Sequence, residues 1–315
     1  MAEFTGIAFF IIVLKIYHGY LSASDENDSR FHCWYLHGRV AWLSQYEAVR
    51  NKETPVQNKS NSRVPERVRN ELRFRHIKVV SKIQVANSFW RIVFSGSELA
   101  GFTSRGFDDH IKVFFPDAQT GELHLPTITA DGIVWKEGAR PVSRDYTPLA
   151  FDGESTLTLD FFIHEGGVAS DWAARAQAGD ELVIGGPRGS LVVPTDYAFQ
   201  LYVCDETGLP AFKRRKADMQ AEQLHLLAYT DEAIGRDYLE NLDGVSVTWL
   251  GSGAMQKDRL DPLVDALNNL ALPTEDYFIW LTGEGEAVKA LSDYFTQRRG
   301  CDTRFIRAVA YWHQK

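Results

Sequence analysis

The sequence is poor in cysteine, lacks metal-ligand spacing and has no excess of positive charge. Among its 315 residues the only cysteines are Cys33, Cys204 and Cys301, which lie far apart, and no CxxC or HExxH pattern occurs. This argues against a disulfide framework and against a metal site of the protein's own. The formal net charge of -8 argues against a general nucleic-acid-binding protein, because that role needs a basic surface. We therefore expect a cytoplasmic protein that binds any anionic ligand through a local group of cations.

The apolar stretch near the N-terminus is too short to cross a bilayer. It covers residues 4–14 and ends at Lys15, whereas a span needs roughly 18 to 20 residues. Positive charge, which normally precedes a signal-peptide core, is missing. Residues 51–62, rich in Asn, Lys, Gln and Ser, are typical of a disordered linker. We predict that residues 1–63 are an atypical, dispensable extension or an upstream mis-assigned start, without stable membrane association; a weak signal or anchor is the alternative.

From residue 64 the chain alternates short strand-like runs with glycine and proline. Strands are predicted at residues 76–85, 89–94, 108–116 and 183–194, and the first two are expected to be neighbours. Hardly any helical pattern lies between these runs. Many short strands with such punctuation favour an antiparallel β-barrel, here over residues 64–195.

The pattern changes near residue 197. Continuous apolar strands are predicted at residues 199–204, 224–228, 245–250 and 277–281, with helices at residues 211–219 and 262–270. Apolar strands that alternate with helices indicate a parallel sheet covered on both faces, a nucleotide-binding type of domain over residues 196–315.

Two short motifs in this second half have weaker implications. The strand at residues 277–281 leads into a GxG turn and a helix, which is not the full GxGxxG dinucleotide fingerprint. The basic cluster Lys-Arg-Arg-Lys at residues 213–216 is suited to attract a 2′-phosphate, and a solvated helix face is the alternative.

A cation, an aromatic ring and a hydroxyl follow one another at residues 144–147. In an extended segment Arg144 and Tyr146 project from the same side, with Asp145 between them. Arg144 offers a planar fork of donors to a diphosphate, Tyr146 offers a ring to an isoalloxazine, and Thr147 offers a hydrogen bond to the flavin's polar edge. This predicts a strand end that holds a flavin. The alternative is a simple edge strand with a surface arginine and a buried tyrosine.

A second segment, residues 160–173, also suits a cofactor. A strand is predicted to end at His164, a Gly-Gly turn follows, and a helix is predicted to begin with Ser170 as its N-cap. Free backbone N–H groups and the helix dipole at such a helix start bind a diphosphate. His164 is expected to meet the adenosine or the flavin, and a buried core histidine is the alternative.

The antiparallel part followed by the parallel part is the layout of ferredoxin-reductase-like flavoenzymes. Seven motifs occur in order: Arg-Asp-Tyr-Thr at 144–147, Asp-Phe-Phe-Ile-His at 160–164, Gly-Gly-Val-Ala-Ser-Asp-Trp at 166–172, Gly-Pro-Arg-Gly-Ser at 186–190, Asp-Glu-Thr-Gly-Leu-Pro-Ala at 205–211, Trp-Leu-Thr-Gly-Glu-Gly at 280–285 and Ala-Tyr-Trp-His at 310–313. As a set they resemble the siderophore-interacting proteins, most closely the NADPH-dependent ferric-chelate reductase branch. One departure is Thr207-Gly208, where many members have Thr-Ala.

The resemblance implies a non-covalently bound FAD and a substrate site at the open edge of the flavin. The substrate residues that it implies are Lys112, Arg188 and Arg307, although each alone is equally compatible with an ordinary surface cation. Cations that converge in an acidic protein select an anion, so a ferric siderophore of the catecholate type is expected. The cofactor-binding residues that it implies are Arg144, Asp145, Tyr146, Thr147, Phe161, His164, Gly167, Val168, Ala169, Ser170, Trp172 and Thr207.

The resemblance further implies a monomeric enzyme that uses NADPH and FAD to reduce Fe(III) to Fe(II) and release iron from siderophores. The choice of NADPH over NADH follows from the branch alone, since residues 228–236 match less clearly. Two alternatives remain open. One is a reductase for flavodoxin, ferredoxin or free flavin, and the other is a flavoprotein that binds siderophores without turnover.

Overall fold

The structure, a computed structural model, describes residues 63–117, 119–129, 132–135, 141–253 and 255–314. The predictions for residues 1–62 lie outside these ranges. No helix within the ranges has both the length and the apolar character needed to cross a membrane. The helices are α1 (Val168–Arg175), α2 (Leu209–Lys216), α3 (Glu232–Leu239), α4 (Asp261–Asn268) and α5 (Gly285–Asp293). The strands are β1 (Glu66–Arg69), β2 (Phe74–Val85), β3 (Phe89–Ser95), β4 (Ile111–Phe115), β5 (Thr127–Thr129), β6 (Gly132–Val134), β7 (Val142–Tyr146), β8 (Ala150–Phe151), β9 (Thr156–Phe162), β10 (Glu181–Gly185), β11 (Gly189–Val192), β12 (Phe199–Asp205), β13 (Gln223–Tyr229), β14 (Val245–Trp249), β15 (Tyr277–Glu284) and β16 (Ile306–Trp312).

The first half forms a seven-stranded antiparallel sheet with the strand order β7-β4-β10-β2-β3-β9-β8. The sheet curls, so that β7 at one edge also contacts β9, and the result is a half-barrel. Its interior contains the apolar side chains of alternate strand residues, such as Ile77 and Val79 of β2, and it is closed by Ala173 of α1. The antiparallel prediction is therefore confirmed.

The predicted pairing of the first two strands is also confirmed, because β2 and β3 form a hairpin. Ala86 and Asn87 both have positive φ, 49° and 54°, and the N–H of Ser88 donates to the carbonyl of Val85 at 3.2 Å. Two left-handed residues at the centre of a turn give the twist that a tight hairpin requires.

The second half forms a five-stranded parallel sheet with the strand order β14-β13-β12-β15-β16. All seven residues of the central strand β12 are buried, as expected for a strand covered on both faces. Helices α4 and α5 pack on one face, and α2 and α3 pack on the other. The strand order reverses between β12 and β15, and in open parallel sheets such a point forms a ligand crevice at the carboxyl ends of the strands.

The lysines of the basic cluster at residues 213–216 donate hydrogen bonds to backbone carbonyls of α3. Lys213 Nζ donates to the carbonyl of Tyr238 at 2.7 Å, and Lys216 Nζ donates to that of Leu239 at 2.9 Å. Both carbonyls lie at the C-terminus of α3, where cations satisfy free acceptors and interact favourably with the helix dipole. These contacts give the two lysines a structural role at the end of α3.

The arginines of the same cluster connect α2 to the antiparallel half. Arg214 donates to Ser104 Oγ at 2.8 Å and to the carbonyl of Pro148 at 3.1 Å. Arg215 donates to the carbonyl of Val193 at 2.9 Å. The arginines thus join α2 to the antiparallel half, whereas the lysines join α2 to α3.

Candidate functional site

A pocket of about 580 Å³ is lined by residues from both sheets. This volume is in the range of small-molecule and cofactor sites. Its walls come from four places: the end of β7, the turn between β9 and α1, the start of α2, and residues 309–314 at the end of β16.

The end of β7 supplies the wall predicted from the motif at residues 144–147. Arg144, Asp145, Tyr146 and Thr147 all line the pocket. The ring of Tyr146 packs against Phe161 with 4.4 Å between centroids, and burial raises the pKa of Tyr146 well above its usual value, partly opposed by the charge of Arg144. An exposed cation and a fixed aromatic ring thus stand on one wall.

The turn before α1 differs in one respect from the prediction. The helix begins at Val168 with Gly167 as its N-cap, so Ser170 lies inside the helix and is not its cap. The Ser170 hydroxyl instead accepts a hydrogen bond from the backbone N–H of His164 at 3.0 Å. No side chain caps the helix, so its first N–H groups stay free for an anion, and Ala169 lines the pocket there.

His164 and Gly167 fit closely together in this turn. A Cβ atom on Gly167 would lie 2.2 Å from Cε1 of His164. His164 is exposed and lines the pocket, which excludes the alternative of a buried core histidine. Its Nδ1 lies 3.1 Å from the carbonyl oxygen of Glu165, which orients the ring.

The wall from the parallel sheet is organised by the buried Asp205 at the end of β12. Its carboxylate accepts hydrogen bonds from the N–H of Thr207 at 2.9 Å and from Nε1 of Trp312 at 2.7 Å. Burial raises the pKa of Asp205, and it raises that of the neighbouring Glu206 to about 7. Thr207, predicted as a cofactor residue, and Trp312 both line the pocket.

Asp160 forms a buried connection behind the pocket. Arg91 donates to its two oxygens at 2.9 Å and 2.7 Å, and the hydroxyl of Tyr238 in α3 donates at 2.5 Å. Because Asp160 also lines the pocket, this network joins the pocket to both halves of the protein.

Several predicted cofactor residues support the wall without lining it. Phe161 is fully buried beneath Tyr146, Ser170 holds the turn, and Trp172 stacks on Phe94 with 6.3 Å between centroids. Val168 is exposed at the start of α1.

None of the three predicted substrate cations lines this pocket within the described residues, and two of them, Lys112 and Arg307, lie in or contact the segment 108–112. Lys112 belongs to that segment, and its Nζ lies 2.8 Å from Asp145. Arg307 donates through Nε to the buried Asp108 at 2.8 Å. Arg188 is exposed and lies three positions after Gly185, the residue that pairs with Lys112 in the sheet.

Sequence reasoning missed the contribution of β16. Tyr311, Trp312 and His313 line the pocket, as do His110 and Pro210. The motif at residues 310–313 was a signal in the sequence, but no role could be attached to it without the fold.

The antiparallel sheet, the parallel sheet and the pocket between their strand ends define the class of this protein: it has a ferredoxin-reductase-like fold. Its structure superimposes on a ferredoxin reductase of carbazole 1,9a-dioxygenase with a TM-score of 0.53 and 17% identity, covering 76% of this chain and 69% of that one. At this identity the likeness establishes the fold alone.

Comparison of sequences narrows the class to a family. Residues 78–191 match the siderophore-interacting FAD-binding domain, and residues 197–315 match the siderophore-interacting protein model. The chain is 50% identical over 261 residues to the NADPH-dependent ferric-chelate reductase of Escherichia coli (strain K12), covering 80% of this chain and 98% of the relative. A siderophore utilization protein from T. fusca is 31% identical with a TM-score of 0.68, covering 79% and 97%. This chain belongs to the siderophore-interacting protein family and carries its FAD-binding domain.

Proposed function

We propose that this protein is a cytoplasmic, monomeric NADPH-dependent reductase that uses FAD to reduce the Fe(III) of ferric siderophores to Fe(II). The observation that carries the proposal is the pocket shared by both sheets, with the flavin-type motif of β7 on one wall and Lys112 paired to a residue of that wall. The family and the 50% identical ferric-chelate reductase support the same activity.

The residues of the pocket fit FAD. Arg144 and the free N–H groups at the start of α1 suit the diphosphate, and the ring of Tyr146 suits the isoalloxazine. Thr147 and Thr207 offer hydroxyl groups at the two sides of the pocket. When bound, FAD supplies two-electron acceptance from NADPH and one-electron delivery to iron, so one NADPH reduces two Fe(III) ions.

Within this proposal residues 64–195 bind FAD and residues 196–315 bind NADPH. The carboxyl ends of β12 and β15, where the strand order reverses, are the expected docking site for the nucleotide. Residues 309–314 contribute to the pocket from the neighbouring edge strand, so the nicotinamide would approach the flavin from this side.

Lys112, Arg188 and Arg307 would bind the substrate. A chain with a net charge of -8 attracts an anionic chelate only through local cations, and the family resemblance assigns that role to these three residues. A ferric siderophore of the catecholate type fits because it is strongly anionic. Reduction releases the metal, since the lower charge of Fe(II) weakens its attraction to anionic oxygen ligands.

An anaerobic titration tests the proposal. The visible spectrum of the full-length protein is recorded, NADPH is added, and a ferric tris-catecholate follows together with a ferrous-iron trap. We expect the oxidised-flavin bands to disappear with NADPH and to return with the chelate, as two Fe(II) ions form per NADPH. NADH in place of NADPH is the matched control and should reduce the flavin more slowly.

Two outcomes would contradict the proposal. Flavin that is reduced by NADPH but is not reoxidised by the chelate would indicate another acceptor, such as flavodoxin, ferredoxin or free flavin. Flavin that NADPH leaves oxidised, in a protein that binds the chelate, would indicate a siderophore-binding flavoprotein without this turnover.

A further inference from the structure

Lys112 and Asp145 form an ion pair that the sheet itself enforces. They are direct cross-strand partners in β4 and β7, so their side chains project from the same face. Lys112 Nζ lies 2.8 Å and 3.2 Å from the two carboxylate oxygens of Asp145. One predicted substrate cation is therefore neutralised by a carboxylate of the pocket wall.

The exposure of this pair distinguishes it from the second carboxylate–cation pair near the site. The side chains of Asp108 and Arg307 are 1% and 20% exposed, and Asp108 also accepts a hydrogen bond from Trp280 Nε1 at 3.3 Å. Those of Lys112 and Asp145 are 51% and 45% exposed. Ion pairs this exposed contribute little to stability, so an incoming ligand can separate them, whereas the buried pair is held in place.

We propose that Asp145 is a specificity-determining residue that selects chelates by their charge. Its carboxylate competes with an anionic ferric chelate for Lys112 and opposes the approach of further negative charge. It therefore weakens the binding of anionic chelates and leaves that of neutral ones nearly unaffected. Asp145 also returns to Lys112 when the chelate leaves, so the lysine is not left without a counter-ion. The inference rests on the proposed substrate role of Lys112.

The charge is removed with Asp145→Asn in the full-length, FAD-loaded protein. The dissociation constants of an anionic ferric tris-catecholate and of a neutral ferric tris-hydroxamate are measured without NADPH, and the Michaelis constants with it. We expect tighter binding of the anion, on the order of fivefold, because one unit charge a few ångströms away acts across a largely aqueous region. Binding of the neutral chelate should change less than about twofold, and the gain should shrink at high salt.

Glu181→Gln is the matched control. Glu181 is the cross-strand partner of Lys78 in β10 and β2, at 3.0 Å, and both side chains are more than half exposed. The same change of carboxylate to amide in an enforced, exposed pair should leave both chelate affinities unchanged. If Asp145→Asn loses FAD, Asp145→Ser serves as a second charge-removing variant, with FAD content read from the flavin absorbance.

The variant Lys112→Ala distinguishes the proposed substrate role of Lys112 from the proposed competition by Asp145. If it weakens binding of the anionic chelate while Asp145→Asn and Asp145→Ser bind it like the parent protein, the competition is overturned and the substrate site stands. If Lys112→Ala binds the anion as tightly as the parent, both the substrate role of Lys112 and the inference about Asp145 are overturned. The anaerobic titration reports the reductase activity separately from either result.

Discussion

Gly167 shapes the cofactor pocket through the space it leaves. An added Cβ would lie 2.2 Å from Cε1 and 2.7 Å from Nε2 of His164, whose ring is part of the pocket wall. The residue also precedes the first turn of α1, where the free N–H groups are exposed to an anion. Glycine is therefore favoured here by its close approach to the His164 ring and not by its backbone conformation, since its φ of -100° is available to every residue.

Gly167→Ala is expected to weaken FAD binding by about tenfold while the fold survives, because the His164 ring must move from its place in the wall. The dissociation constant of FAD, from flavin fluorescence, measures the effect. In a His164→Ala background the same substitution should have little further effect, since the obstructing ring is gone. An equal loss of affinity in both backgrounds would count against this contact as the cause.

Helix α2 is fixed to the rest of the protein by the buried Arg215. Its guanidinium donates to Tyr202 OH at 2.9 Å, to the carbonyls of Val193 at 2.9 Å and Pro194 at 2.5 Å, and to Gln200 Oε1 at 3.2 Å. Four acceptors around one side chain suit the forked donors of arginine better than the three donors of an ammonium group.

Arg215→Lys should lower the free energy of unfolding by about 2 to 4 kcal/mol, because buried acceptors would lose their donors. Urea unfolding measures this. Arg236→Lys is the control, since Arg236 forms an exposed pair with Glu232 one turn away in α3 and its replacement should change stability by less than about 0.5 kcal/mol. Equal midpoints for the two variants would refute the role assigned to Arg215.

The sequence predicted the elements whose patterns are local. The continuous apolar run of β12 and the β2–β3 hairpin could be recognised because burial and turn chemistry act over a few neighbouring residues. Helix α3 and strand β16 were not predicted. β16 lies at the edge of its sheet, and its residues are only partly buried or exposed, so its apolar signal is weak.

The site, like the fold, was predictable only where its residues are close in the sequence. The functional side chains at residues 144–147 are adjacent in the sequence, so the motif could be recognised without the fold. All four residues line the pocket. The opposite wall depends on Trp312 and Asp205, which are brought together by packing across 107 positions of sequence. The structural use of residues 213–216 was missed for the same reason, since Arg214 meets Ser104 across 110 positions.

The two sheets share one apolar region, to which the antiparallel half contributes Phe89 and Phe107. The rings of Phe89 and Tyr238 pack with 4.3 Å between centroids, and the hydroxyl of Tyr238 donates to Asp160. Helix α3 thereby reaches a carboxylate that lines the pocket.

Tyr238→Phe removes this hydrogen bond and should cost about 1 to 2 kcal/mol of stability, because a fully buried carboxylate oxygen loses one of its donors. It should also weaken FAD binding, since Asp160 would be held less firmly. Urea unfolding and the FAD dissociation constant are the measurements. Tyr294→Phe removes a comparable hydrogen bond to Asn268, away from the pocket, and should leave FAD affinity intact. A similar loss of FAD affinity in both variants would contradict the coupling.

Because the pocket is divided between two sheets, a cofactor bound in it would stabilise the association of these sheets. A ligand that binds only when both walls are in place stabilises their association by an amount that grows with the ratio of its free concentration to its dissociation constant. When flavin is scarce, we expect the two sheets to separate more often, which would expose the region around Phe89 and Phe107 to proteases. On this expectation, the lifetime of the protein in the cell depends on the supply of riboflavin.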